Sequence, residues 1–159
     1  MGVGLDDSYL ENPEYALKCM TSVIDGAIKR GIYVIIDFHS HKIHTEEAKT
    51  FFTLMAKKYG NNPNVIYEIF NEPDYYTWPE VKAYSEELIK TIRAIDADNI
   101  ILVGSPHWDQ DIHLVAEDPI KGQTNLMYTM HFYAGTHKQW LRDRTDAAMA
   151  KGIPIFVSE

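Results

Sequence analysis

The stretch Gly31-Ile32-Tyr33-Val34-Ile35-Ile36-Asp37 decides the fold. Its apolar run is continuous and rich in β-branched residues, with no polar face. Such a run suits a parallel strand covered on both sides. The residues before it read as a helix. Asn12 is placed to cap it and Pro13 suits its first turn. Ala16, Leu17, Met20, Val23, Ile24, Ala27 and Ile28 then recur at helical spacing until Gly31 ends the pattern.

Moving outward, the same unit repeats. A helix is predicted over 45–59, with Ala48, Phe51, Phe52 and Met55 on its apolar face and Gly60 closing it. A strand follows over 65–70. Thr77 and Glu80 have capping-box spacing ahead of a helix striped by Val81, Tyr84, Leu88, Ile92 and Ile95. Further strands are predicted over 99–104, 126–132 and 153–158, with helices over 109–116 and 138–151 between them. Strands alternating with helices, and no hairpin signal, mean parallel βα units with right-handed crossovers. The chain reads as one domain over 1–159, with no linker or low-complexity segment.

Two architectures fit, an open doubly wound sheet and an arc of a (β/α)8 barrel. A nucleotide-binding sheet would be supported by a glycine-rich turn after a strand, and neither G-x-G-x-x-G nor a Walker-type loop is present. The strand ends carry Asp37-Phe38-His39-Ser40-His41, Asn71-Glu72-Pro73, Pro106-His107-Trp108, His131-Phe132-Tyr133 and Ser158-Glu159 instead. Polar and aromatic groups past the carboxyl ends of successive strands are how a barrel builds its active face. The barrel is the better reading.

Composition narrows the partners. Of 159 residues, 45 % are hydrophobic and 24 % charged, as in globular proteins rather than disordered ones. With 15 Lys+Arg against 23 Asp+Glu, the net charge of −8 is a poor match for a nucleic-acid backbone. No apolar run approaches the ~20 residues of a membrane-spanning helix. The single cysteine, Cys19, excludes an internal disulfide and any multi-cysteine metal site.

Glu72 and Glu159 carry the chemistry this face could perform. Cleaving a glycosidic bond needs one carboxylic acid to protonate the leaving oxygen and a second carboxylate across the sugar. A separation of about 5–5.5 Å gives a covalent, retaining mechanism, and about 6.5–9.5 Å leaves room for an inverting water. Taken alone, a strand-end glutamate is more often a solvated charge. Glu72 differs because Asn71 precedes it and an apolar strand delivers both to one mouth.

The chain resembles the cellulase-type members of glycoside hydrolase family 5, which are retaining barrel glycosidases. The resemblance lies in the stretch from Gly31 to His39, in Pro63-Asn64-Val65-Ile66-Tyr67-Glu68-Ile69-Phe70-Asn71-Glu72-Pro73, in the stretch from His131 to His137, and in Ile155-Phe156-Val157-Ser158-Glu159. It numbers the strands three to seven of a partial (β/α)8 TIM barrel. It implies that Glu72 is the acid/base and Glu159 the nucleophile. Asn71 would bond the sugar 2-hydroxyl, and Tyr133 would hydrogen-bond the nucleophile. His131 would lie near the acid/base, His39 would contact sugar beside the cleaved bond, and Trp108 would be an aromatic platform. The implied substrate is cellulose-type β-1,4-glucan, with mannan and mixed-linkage glucan as close alternatives. No metal or organic cofactor is implied, and the parent enzyme would act outside the cell.

The family's strand-two arginine would fall just before Met1, and its strand-eight tryptophan and the Trp-Gly after Ser-Glu have no counterpart here. The expectation is therefore a fragment, with activity expected of the parent enzyme rather than of this piece, whose cut edges could pair with another copy. Two rivals stand beside this reading. One is a metal-dependent barrel hydrolase using His39 and His41, because H-x-H on a strand points both rings to one side. The other is a non-catalytic carbohydrate-binding fragment.

Overall fold

The computed structural model describes residues 8–159. Its elements run α1 (Ser8–Glu11), α2 (Pro13–Arg30), β1 (Val34–Asp37), α3 (Thr45–Tyr59), β2 (Val65–Glu68) and α4 (Trp78–Arg93). There follow β3 (Ile101–Val103), α5 (Pro106–Asp109), α6 (Ile112–Val115), β4 (Leu126–Thr129), α7 (Gln139–Ala150) and β5 (Ile155–Phe156). The five strands form one sheet in the order β1-β2-β3-β4-β5, and every neighbouring pair is parallel. A doubly wound sheet reverses its strand order at a switch point. This sheet does not, and its sequential order is that of a barrel arc. Among the described residues no helix is long and apolar enough to cross a membrane.

Local chemistry sets the element ends. The Asn12 side chain accepts from Tyr15 N and caps α2, while Gly31, at φ 68°, donates to Ala27 O and Ile28 O and turns the chain toward β1. Glu80 accepts from both the backbone N–H and the hydroxyl of Thr77, which anchors the start of α4. Trp78 is buried there, and its indole donates to Asp118 O. The core lies between helices and sheet around Phe51, Phe52, Tyr67, Phe70 and Ile36. Phe51 meets Phe52, Tyr9 and Phe38 with ring centroids 4.9, 5.2 and 5.5 Å away.

The ladders are shorter than the apolar runs that foretold them. Ile32 and Tyr33 are exposed and only serve the turn between Gly31 and Val34. The run over 153–158 contributes just two ladder residues. The helix expected over 109–116 is also different. Pro106–Asp109 is a turn in which His107, Trp108 and Asp109 have φ of 58°, 54° and 58°, and only Ile112–Val115 is a right-handed helical turn after it.

Candidate active site

The carboxyl end of β2 is braced from two sides. The Tyr84 hydroxyl, from α4, donates to Ile69 O at 3.0 Å. Across the sheet, Gly104 leaves no room for a side chain, because a Cβ there would come within 2.7 Å of Phe70 O and 3.1 Å of Pro73. Any larger residue would push away the segment that carries Asn71 and Glu72.

Glu72, His131 and Glu159 converge above this brace. Each offers one polar side-chain atom, and these atoms all lie within 4.8 Å of one another. His131 Nδ1 is 3.0 Å from Glu72 Oε1 and 4.0 Å from Glu159 Oε2. Glu72 is half-buried, Glu159 exposed and His131 buried. On its far side, His131 Nε2 is 2.8 Å from Ser158 Oγ. The Ser158 hydroxyl donates to Glu68 Oε1 at 2.6 Å, which leaves Oγ as the acceptor for Nε2–H. Glu68 Oε1 and Asp109 Oδ2 stand 3.6 and 3.5 Å from the same nitrogen.

The electrostatics follow from this crowding. Burial alone would lower the His131 pKa, but the carboxylates of Glu68, Glu72 and Asp109 raise it to about 10. The interaction with His131 in turn lowers the Glu72 pKa against the opposing effect of burial, with His41 and His39 adding to it. Burial raises the carboxyl pKa of Asp109 well above the usual range. Burial likewise raises Asp37 to about 6, against the pull of its bond to His39.

The other expected residues are placed as follows. Asn71 is 1 % exposed, and its buried Oδ1 has no hydrogen-bond partner. Glu72, Trp108, His131 and Tyr133 line one hollow of about 290 Å³, together with His137. Trp108 is 37 % exposed, in a left-handed turn fixed by its N–H bonding to Pro73 O at 3.0 Å. His39 is held by Asp37, Nδ1 to Oδ2 at 2.7 Å. Tyr133 reaches the hollow, but among the described residues its hydroxyl makes no hydrogen bond to Glu159. Its ring stacks on His137 within a tight turn that both Thr136 N and His137 N close on Tyr133 O. His39 and His41 lie past the end of β1, so strand alternation does not align them. Their ring centroids are 6.5 Å apart, and His41 Nδ1 faces Glu72 O at 3.0 Å.

The description Cellulase (glycosyl hydrolase family 5) matches residues 1–159. The chain belongs to glycosyl hydrolase family 5. It is 46 % identical over 162 residues to Endoglucanase Z of Dickeya dadantii strain 3937, covering all of this chain and 38 % of that protein. A solved structure from Cytophaga hutchinsonii superposes with a TM-score of 0.93 at 48 % identity, over 99 % of this chain and 52 % of that one. The catalytic domain of Thermobifida fusca endoglucanase Cel5A, solved as a variant with cellotetraose, gives 0.87 at 34 % identity, over 99 % and 54 %. The family 5 chain thus spans about half the length of these solved relatives.

Two members of the cluster in this family 5 chain, Glu68 and Asp109, were not read as site residues from the sequence, and Ser158 was read only as a strand-end polar group. Glu68 had left a signal, as the one charge inside the run from Val65 to Phe70. Asp109 had left none, because its approach to His131 depends on the left-handed turn that carries it.

Proposed function

We propose that this chain is the catalytic-face portion of a retaining endo-β-1,4-glucanase. The observation that carries this reading is the convergence of Glu72 and Glu159 within 4.8 Å of each other and of His131. Such proximity suits a nucleophile and an acid/base on one sugar rather than an inverting pair with water between them. Glu159 attacks the anomeric carbon while Glu72 protonates the leaving oxygen, and Glu72 then activates the water that releases the sugar. His131 orients Glu72 and favours its ionised form, which is the form the second half needs. The first half needs the protonated form, which the partial burial of Glu72 favours. The unpartnered Oδ1 of Asn71 is matched to a sugar hydroxyl donor.

A polymeric substrate is supported by the surface around the pair. Trp108 offers an aromatic face, and on the other side of its turn His107 lines a second open hollow, of about 580 Å³, with Tyr75, Tyr76 and Pro106. Two of these relatives, from Dickeya dadantii and Thermobifida fusca, are named endoglucanases, which favours β-glucan over mannan. A polysaccharide cannot enter most cells, so the parent enzyme acts outside them.

The test is reducing-sugar release by the protein that carries this chain in full, on carboxymethylcellulose, mixed-linkage glucan and mannan. Hydrolysis of the first, lost in both Glu72→Gln and Glu159→Gln, is the expected outcome. Binding without hydrolysis would replace the enzyme reading with that of a carbohydrate-binding fragment.

A further inference from the structure

We propose that Glu72, His131 and Glu159 also form a binding site for a borderline divalent cation such as Zn2+, so that the metal excludes substrate from the hollow. The exclusion, though not the binding, rests on the glycosidase reading above.

The donor set is one nitrogen and two carboxylates, a combination zinc accepts in sites with an open fourth position. Zinc bonds of about 2.0–2.2 Å place neighbouring ligand atoms roughly 3.4 Å apart in a tetrahedron. His131 Nδ1 already stands 3.0 Å from Glu72 Oε1 and 4.0 Å from Glu159 Oε2. Only small movements of exposed Glu159 separate this triangle from a coordination sphere.

The surroundings of His131 are those of a prepared ligand. Metal-bound histidines commonly donate their other ring N–H to an oxygen that is itself held by a carboxylate, which fixes the tautomer and ring orientation. Here Nε2 faces Ser158 Oγ at 2.8 Å, and Ser158 bonds Glu68 at 2.6 Å. With Nε2–H committed to Ser158, Nδ1 is the ring nitrogen left to a metal, and it faces both glutamates. The charge balance points the same way. Among the described residues, every ion pair to Glu68, Glu72, Asp109 or Glu159 comes from a histidine, and none from Lys or Arg. With no Lys or Arg paired to them among the described residues, these carboxylates are left to attract a dication, and a proton on Nδ1 leaves as the metal binds.

Calorimetric titration of Zn2+ into the protein that carries this chain in full tests this, with circular dichroism to verify the fold of each variant. One saturable site is expected, weakened by at least about tenfold in His131→Asn and in Glu159→Gln and unchanged in the remote variant His113→Asn. Absence of saturable binding, or binding that survives both substitutions, overturns the proposal. Should a variant unfold, zinc-edge anomalous diffraction from crystals of the unaltered protein that carries this chain decides. A peak about 2.0–2.2 Å from all three side chains supports the site, and zinc bound only at other histidines overturns it. The two readings fail separately: hydrolysis abolished by Glu72→Gln without zinc binding removes this inference alone, and zinc binding in a protein without hydrolysis removes the other.

Discussion

Asp109 Oδ2 lies 3.5 Å from His131 Nε2, while the other oxygen of the same carboxyl group accepts from Ser105 N. Asp109 is fully buried and left-handed. One side chain therefore ties the turn that presents Trp108 to the histidine that contacts Glu72. Asp109→Ala leaves the Ser105 N–H buried without that acceptor, and unfolding free energy should drop by about 1–3 kcal/mol. Asp109→Asn keeps an acceptor oxygen and should cost less. Urea denaturation of both variants checks the order, and equal losses would mean that the bond to Ser105 does not matter.

The carboxylates of Glu68, Glu72 and Asp109 around His131 set a pH dependence. The folded pKa of His131, about 10, lies above the ordinary 6.5. A raised pKa means the folded state holds the proton more tightly, so this stabilisation is complete below about pH 6.5 and is lost as pH rises through 10. Asp37, raised from 3.8 to about 6, acts with the same sign in a lower window. Glu72 acts oppositely: its pKa is lowered, so its contribution is present above the unfolded value and lost in acid. Urea midpoints should decline from pH 6.5 to 10, and an imidazole NMR signal of His131 still titrating near 6.5 would contradict the assignment.

How far the sequence disclosed this site depends on what kind of signal each residue left. Helix α3 was readable to both ends, because its apolar stripe and Gly60 are local features. Glu72 and Glu159 were readable as strand-end carboxylates in a resemblance. The strand lengths were not, since a ladder needs a partner in register, and Ile32 or Val157 can be apolar and still exposed. The left-handed turn at His107-Trp108-Asp109 was hidden because non-glycine residues leave no mark of a positive φ, and its conformation is imposed by bonds to Pro73 and Ser105.

Stereochemistry gives an independent check on the carboxylate pair. With Glu72 and Glu159 side-chain oxygens within 4.8 Å, the released sugar should keep the β configuration. Proton NMR during the first minutes of oligosaccharide hydrolysis, before mutarotation, reads this directly. Initial appearance of the α anomer would require an intervening water and would remove Glu159 from the nucleophile's role.

Trp108 should act on binding rather than on chemistry. Its exposed ring lines the hollow beside Glu72 but is not among the groups that exchange protons there. Loss of a stacked aromatic face costs about 0.5–1.5 kcal/mol. Trp108→Ala should therefore raise KM by up to about tenfold with little change in kcat, the pattern of a contact equally strong in ground and transition states. A fall in kcat at unchanged KM would place the ring at the reacting centre.

The sheet edge supplies the last prediction. Among the described residues, β5 pairs only with β4, through Tyr128 with Ile155 and Thr129 with Phe156. Val157 beside it is 47 % exposed, and an apolar hollow of about 210 Å³ opens nearby between Met130, Phe132 and Leu141. An apolar edge without charges or proline in its paired residues is a template for another strand. The 159-residue chain in isolation should self-associate through this edge at micromolar concentration. A lysine at Val157 should weaken that association, because a charge would have to be buried against the partner strand. Light scattering over a dilution series measures both. A monodisperse monomer at every concentration, with one cooperative unfolding transition, would show that the chain covers β5 by itself and that the edge is not a docking template.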